Sequence, residues 1–143
     1  MPQGRITGLV HTGLSTSDLK RSIHLFGDVL GFKVSDIVNY SGDALQRIVG
    51  VEGAEIRVAY ADGYGYQIEL LEYVKPDVRT ISKLRPCDPG HSHLSFTVEN
   101  LDDMLKRLKE VGFTAAEPPQ TVDHGRRVTY VYGPDQLVLE LSE

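Results

Sequence analysis

The hydrophobic pattern of residues 90–113 predicts a strand followed by a helix. Polar and apolar residues alternate over residues 93–98, as they do in a half-buried strand. A helical repeat begins after Asn100, a suitable N-cap, and ends at Gly112, where a glycine commonly terminates a helix. The apolar positions of this helix are Leu101, Met104, Leu105 and Leu108. Their spacing gives the helix one apolar face and leaves its charged residues to solvent.

A second copy of this pattern lies near the N-terminus. A predicted strand over residues 6–14 carries His11, and a predicted helix over residues 18–30 ends at Gly31. Twenty residues separate His11 from Gly31, and nineteen separate the corresponding histidine and glycine of the other copy. A phenylalanine follows each glycine. The chain is therefore built from an internal repeat, and its fold must be assigned from that repeat.

Each copy continues through further strands and ends in a strand that carries a glutamate among leucines. The further strands are predicted at residues 32–40, 54–61, 66–73, 113–116, 127–132 and 137–141. Residues 41–51 are compatible with a helical turn or a strand, and a short helix is expected within residues 77–84. The predicted organisation is a first module over residues 6–74, a linker over 75–90 and a second module over 91–143.

Composition and charge narrow the function classes. The 143 residues are 41% hydrophobic and 24% charged, as in ordinary globular proteins. The net charge of −5 and the lack of a basic stripe argue against nucleic-acid and anionic-membrane surfaces. Cys87 is the single cysteine, so no disulfide can form within the chain. Since neither a leader nor a long apolar span is evident, a cytoplasmic protein is expected.

Four residues with metal-binding side chains occupy equivalent places in the repeat: His11 and His93 on first strands, Glu69 and Glu140 on last strands. Strand alternation places each one opposite the apolar face. Taken alone, each is more often an ordinary surface residue, but their equivalence favours a shared site. If the modules pair about a pseudo-twofold axis, the four side chains converge. Two imidazoles and two carboxylates suit a divalent ion, which can polarise a carbonyl while a carboxylate moves a proton.

Other polar residues leave alternatives open. His91 precedes His93 by two residues and would share its face, but its place beside Gly90 favours His93 as the ligand. Two interpretations of His124, Arg126 and Arg127 are left open with equal weight. The residues belong to a solvated loop, or they form a lid or an anion contact for the substrate. Glu72 and Glu99 lie near strand ends and are expected to be solvated. The tyrosines of the strands either line a cavity or simply pack; they are Tyr60, Tyr64, Tyr66, Tyr130 and Tyr132.

Several of these segments resemble the vicinal-oxygen-chelate superfamily, also described as the glyoxalase, bleomycin resistance protein and dioxygenase family. The matching segments are residues 18–22, 29–32, 68–72, 93–102 and 133–141. The resemblance covers nearly the whole chain and implies an α+β fold, in which two βαβββ modules form a curved mixed sheet around a metal cleft. The family's ligand positions fall on His11, Glu69, His93 and Glu140. One departure is the turn at residues 133–137, Gly-Pro-Asp-Gln-Leu, where the family often has Asp-Pro-Asp-Gly-Asn.

The resemblance also implies a chemistry. The His/Glu/His/Glu set is similar to that of glyoxalase I and of methylmalonyl-CoA epimerase-like members, although the epimerase typically has Gln as its second ligand. A lyase or isomerase is therefore expected, in which Glu140 abstracts a proton next to a metal-bound carbonyl to give an enediolate. Glu69 would be a ligand and a partner acid or base. The metal would be one ion of Ni, Co, Zn, Mn or Fe per site, the substrate a small molecule, and the protein a homodimer.

Two other functions compete with this hypothesis. An extradiol-type dioxygenase of the same superfamily would use two His and one Glu, and such enzymes are commonly longer. A non-catalytic protein that binds a small molecule or an antibiotic, as bleomycin resistance proteins do, would generally have lost the metal ligands. The fold alone does not decide between them.

Overall fold

The computed structural model describes residues 1 and 3–143, which form two compact units, Met1–Arg79 and Thr80–Glu143. In the first unit the elements are β1 (Thr12–Ser15), α1 (Leu19–His24), β2 (Lys33–Val34), β3 (Val38–Tyr40), α2 (Asp43–Val49), β4 (Glu55–Gly63) and β5 (Tyr66–Lys75). In the second they are β6 (Leu94–Thr97), α3 (Leu101–Glu110), β7 (Thr114–Ala115), β8 (Gln120–Thr121), β9 (Arg127–Tyr132) and β10 (Val138–Ser142).

The sheet of the first unit has the order β1-β5-β4, with β2 and β3 both paired to the far edge of β4. β1 runs parallel to β5, and all the other pairs are antiparallel. Lys33 of β2 lies opposite Asp62, and Val38 of β3 lies opposite Val58, so β2 and β3 are two pieces of one interrupted strand. The unit is thus a βαβββ module with a short extra helix, α2.

The second unit repeats this topology. Its order is β6-β10-β9, with the two short strands β7 and β8 both paired to β9. β6 is parallel to β10, and β9 is antiparallel to its neighbours. The predicted α+β class with two βαβββ modules is confirmed.

Both predicted helix boundaries have their expected chemistry. The Asp18 side chain accepts a hydrogen bond from the Arg21 amide (3.0 Å), and Asn100 accepts one from the Asp103 amide (3.2 Å). Gly112 follows the end of α3 with a φ of +91°, in the left-handed region that favours glycine. The first helix differs in one respect: after His24 it continues as a π-helical turn, Leu25–Val29, before ending at Gly31.

Each unit packs its helix on one face of its sheet. The fully buried side chains include Leu19, Phe26 and Leu70 in the first unit and Leu101, Leu108, Leu139 and Leu141 in the second. The phenylalanine that follows the helix closes each core against a hairpin glycine. A Cβ on Gly133 would lie 2.1 Å from the Phe113 ring, so only glycine fits there.

In each unit a second glutamate, on the last strand (Glu72) or directly after it (Glu143), joins the sheet to the helix. Glu72 accepts a hydrogen bond from the Leu19 amide (2.7 Å) and pairs with Arg57 (3.1 Å). Glu143 likewise accepts from the Leu101 amide (3.1 Å) and pairs with Arg127 (3.1 Å). The expectation that Glu72 is solvated was wrong, because its carboxylate satisfies the first turn of α1. Glu99 is exposed, as expected.

Two predicted segments differ from the structure, and a third, for which a helical turn and a strand had both been left open, forms a helix. The first strand begins at Thr12 rather than at residue 6, and the described residues 3–11 are exposed and without regular structure. Within 41–51 the chain forms α2, whose residues are all exposed or half-exposed. Residues 77–84 are irregular instead of helical; Arg79 donates there to the carbonyls of Tyr73 and Pro76. Alternation cannot reveal these outcomes, because none of the three segments contributes to a core.

Among the described residues, no helix has both the length and the apolar character needed to span a bilayer.

Candidate functional site

Strand register brings a histidine and a glutamate together in the first unit. β1 is parallel to β5 with Gly13 opposite Glu69. His11 lies two residues before Gly13 and therefore projects to the same side as Glu69. His11 Nε2 is 3.1 Å from Glu69 Oε2.

The second unit repeats this arrangement with the same register. Ser95 of β6 lies opposite Glu140 of β10, and His93 precedes Ser95 by two residues. His93 Nε2 is 3.0 Å from Glu140 Oε2. Both histidines lie immediately before their strands rather than within them. The structure thus pairs His11 with Glu69 and His93 with Glu140.

The two pairs also share a pattern of exposure. The glutamate side chains are 15% (Glu69) and 24% (Glu140) exposed, whereas the histidine side chains are 33% (His11) and 36% (His93) exposed. Each carboxylate therefore sits on the sheet surface with its imidazole at the outer side, where a small ligand can reach both.

A tyrosine completes each pair. Tyr60 lies opposite Glu69 and Tyr130 lies opposite Glu140. The Tyr130 hydroxyl is 3.4 Å from His93 Nε2, and the rings of Tyr60 and His11 are 6.2 Å apart. The sequence had placed both tyrosines among five undistinguished candidates. The repeat could have identified them, because Tyr60 precedes Glu69 by nine residues and Tyr130 precedes Glu140 by ten, which are nearly equivalent positions.

The surroundings favour the protonated form of both phenols. A hydrogen bond with Tyr40, then burial and the charge of Glu69, raise the pKa of Tyr60 to about 12. Burial and the charge of Glu140 raise the pKa of Tyr130 above its usual range. At neutral pH both hydroxyls therefore keep their protons beside the carboxylates.

The remaining candidates have other partners or lie elsewhere. Arg127 bonds to Asp102 (2.8 Å) and Glu143, which explains its place on β9 and argues against an anion contact. His124 and Arg126 are exposed at a turn of 3₁₀ helix, Asp123–Gly125. His91 lines a cavity with Tyr132 in the second unit. The Tyr64 hydroxyl donates to the Leu30 carbonyl (2.7 Å), and Tyr66 is exposed.

The donor chemistry fits a divalent ion. Each pair offers one imidazole nitrogen and one carboxylate, and two such pairs give the mixed N/O set that first-row divalent metals accept. Within residues 1 and 3–143 no group of three or more His, Cys, Asp or Glu side chains lies together as a ready metal site. The metal-binding role of the four residues stays a prediction.

Comparison with known proteins gives consistent results. Residues 8–141 match the model of the glyoxalase/bleomycin resistance protein/dioxygenase superfamily. The chain is 32% identical over 134 residues to the uncharacterised protein YwkD of Bacillus subtilis, covering 93% of this chain and 94% of YwkD.

Solved structures share the fold. A glyoxalase family protein from Bacillus cereus has a TM-score of 0.86 at 20% identity, covering 100% of this chain and 97% of that one. The fosfomycin resistance protein FosX of Listeria monocytogenes, as a mutant in complex with Mn(II) and 1S,2S-dihydroxypropylphosphonic acid, has a TM-score of 0.60 at 19% identity. That match covers 96% of this chain and 90% of FosX. Because the family model spans nearly the whole chain, this protein belongs to the glyoxalase/bleomycin resistance protein/dioxygenase superfamily.

Proposed function

We propose that this protein is a divalent-metal-dependent lyase or isomerase that removes a proton from carbon next to a carbonyl group. The observation that carries the proposal is the identical placement of a His–Glu pair in both modules. Gly13 faces Glu69 and Ser95 faces Glu140, with the histidine two residues earlier each time. A single such pair on a sheet is commonplace, but the same register in both copies of a repeat is expected of a shared site.

His11, Glu69, His93 and Glu140 would hold the ion. When bound, a divalent ion acts as a Lewis acid that polarises a carbonyl and stabilises the negative charge of an enediolate. The Mn(II) bound to FosX supports a divalent ion in this fold.

The carboxylates would carry out the proton transfer. Glu140 accepts the proton from the substrate carbon, and Glu69 serves as the partner acid or base on the equivalent strand of the other module. The phenols of Tyr60 and Tyr130 stay protonated and would donate hydrogen bonds to substrate oxygens. The enediolate then takes a proton back at the same or the neighbouring carbon, which completes an epimerisation or an isomerisation.

Metal content is the first test. Plasma mass spectrometry of untagged protein should find about one divalent ion per chain, and His93→Ala should lose it. The control is His124→Ala, which removes an exposed histidine outside both pairs. Retention of the ion by His93→Ala would refute the proposed ligand set, whereas a wild-type protein that takes up no metal would favour a non-catalytic binding protein. Bound iron with oxygen uptake on a catechol would instead support a ring-cleavage dioxygenase.

Proton transfer is tested with deuterium. Hydroxyacetone and related 2-hydroxy ketones are incubated in D₂O with the metal-loaded protein, and deuterium uptake at carbon is followed by mass spectrometry. Glu140→Gln should reduce the exchange rate by about 10²–10⁴-fold, since it removes the base but keeps the shape of the side chain. An unchanged rate would show that Glu140 is not the base.

A homodimer is part of the same proposal. Large apolar side chains of the first unit are almost fully exposed near the N-terminus, including Ile6 (92%) and Leu9 (86%). Contact with a second copy would remove this apolar area from water. Gel filtration with light scattering should give about twice the chain's mass of 15.9 kDa.

A further inference from the structure

The second unit contains a small cavity outside the His93–Glu140 pair. Its volume is about 150 Å³, and it is lined by Leu84, His91, Tyr132, Gly133, Gln136, Leu137 and Val138. A protein cavity of this volume is large enough for a benzene molecule. The lining is mainly apolar with a few polar groups, which is the usual character of a ligand subsite.

The cavity adjoins the pair on the same face of the sheet. Val138 lies opposite Tyr132, and the next positions on that face are Glu140 opposite Tyr130. His91, which lines the cavity, precedes His93 by two residues. A molecule whose reacting end lies at Glu140 would thus direct its other end along the strands into this cavity.

A strap of the chain, residues 82–84, reaches the cavity at Leu84 and is held by one side chain. Gln136 Oε1 accepts hydrogen bonds from the Leu84 amide (2.8 Å) and the Ser82 hydroxyl (3.2 Å). Val138 is only 2% exposed, although it shares its face with the half-exposed Glu140. Leu84 of the strap and Val138 line the same cavity.

The backbone conformation of Gln136 supports a role for its side chain in holding the strap. Its φ is +61°, in the left-handed region that a residue with a Cβ seldom adopts. Four residues before the strand glutamate of the first unit, the equivalent position is Gly65, with a φ of +78°. Glycine meets this backbone requirement without strain. Glutamine is less suited to the turn, and the contacts with Ser82 and Leu84 account for its presence.

The two copies of the repeat also differ inside the cavity. At the positions of Tyr132 and Val138, the first unit has Asp62 opposite Gln67, and their side chains are hydrogen-bonded (3.0 Å) at the surface. The first unit thus has a polar pair where the second unit has an apolar lining.

We propose that the cavity is the specificity subsite of this protein and that Gln136 is its positioning residue. The subsite would take the non-reacting substituent of a small carbonyl compound with vicinal oxygens, namely an aromatic or branched aliphatic group about the size of a benzene ring. The inference rests on the proposed function, which places the reacting oxygens at the ion held by the His–Glu pairs.

Two 2-oxo acids test the subsite. Phenylpyruvate and pyruvate present the same pair of oxygens to the metal but differ in the size of their substituent. Calorimetry on the Zn(II)-loaded protein should give a phenylpyruvate affinity at least about tenfold above that of pyruvate. Gln136→Gly should lower this preference to below about threefold by releasing the strap. Asp135→Gly is the matched control, since it replaces the neighbouring left-handed residue and should keep the preference.

An experiment without metal separates the hypothesis of an apolar subsite from the hypothesis of a metal site. Benzyl alcohol added to the ¹⁵N-labelled chain should shift the amides of Leu84, Tyr132 and Val138, and these shifts should be lost in Gln136→Gly. If zinc binds but the two acids bind equally, the subsite is refuted and the metal site stands. If zinc does not bind but the benzyl alcohol shifts appear, the proposed function fails and the apolar subsite stands. Absence of those shifts overturns the inference whatever the metal result.

Discussion

At the scale of single residues, the site is defined by what lies opposite each glutamate. Glu69 and Glu140 each have a histidine immediately before one neighbouring strand and a tyrosine on the other strand, namely Tyr60 and Tyr130. The carboxylate therefore affects both neighbours: it pairs with the imidazole and disfavours the phenolate. Both effects come from placing one negative charge in a partly buried position between two strands.

The first prediction concerns the titration of Tyr60. Its pKa is raised from 10.0 to about 12 by the hydrogen bond with Tyr40, burial and Glu69. Because the folded pKa lies above the unfolded one, the resulting stabilisation is complete below about pH 10 and is lost as the pH rises toward 12. Ultraviolet titration curves are recorded for the wild type and for Tyr60→Phe. The difference between the two curves should show one phenol ionising near pH 12. A difference curve centred near pH 10 would contradict the assigned contacts.

The second prediction concerns Asp102, whose pKa is lowered by its hydrogen bond and ion pair with Arg127. A lowered folded pKa stabilises the protein above the unfolded value of about 3.9, and the effect is lost as the pH falls. Asp102→Asn should therefore lower the thermal midpoint more at pH 7 than at pH 3, as followed by circular dichroism. Asp103→Asn removes the same charge from the same helical turn and should have the smaller effect. Equal decreases of the thermal midpoint in the two variants would show that the loss comes from the helix dipole alone and not from the pair with Arg127.

At the scale of elements, the last strand of each module connects the site to the helix. Glu69 and Glu72 are three residues apart on β5 and so project to opposite faces. One carboxylate faces the site, and the other accepts the Leu19 amide at the start of α1. Glu140 and Glu143 have the same division of roles.

The third prediction is that Glu72→Ala destabilises the first unit. The change leaves the Leu19 amide without its acceptor and removes the partner of Arg57, so the free energy of unfolding should fall by about 1–2 kcal/mol. Urea denaturation measures the difference. Glu52→Ala, at an exposed position, is the control and should change the free energy by no more than about 0.5 kcal/mol. Similar values for the two variants would exclude a capping role for Glu72.

At the scale of the whole molecule, the repeat supplies one His–Glu pair in each module, and these are the two pairs proposed to bind metal. One mixed N/O site needs all four side chains, whereas two separate pairs would each bind an ion weakly through two ligands. These alternatives differ in stoichiometry and in how the two histidines depend on each other.

The fourth prediction follows from a single shared site. His11→Ala and His93→Ala should each abolish tight binding of the one ion, and the double variant should lose no more than either single variant. Metal content and calorimetric titration on the three variants measure this. Two ions per wild-type chain, with one lost in each single variant, would instead show independent pairs.

Much of this protein is determined by local sequence. Asp18 and Asn100 cap the helices, Gly31 and Gly112 end them, and alternation on the strands separates the core face from the site face. These features depend on neighbouring residues, so the sequence suffices to predict the two βαβββ modules. The equivalence of His11 with His93 and of Glu69 with Glu140 was visible for the same reason.

Only the tertiary structure decided which residues meet across strands. The register that places Tyr60 and Tyr130 opposite the glutamates is set by pairing between distant segments, and alternation along one strand cannot show it. The capping by Glu72 and the attachment of the strap to Gln136 join residues more than fifty positions apart. Segments without a core-facing pattern, such as residues 3–11 and 77–84, carry no periodic signal from which their conformation could be predicted.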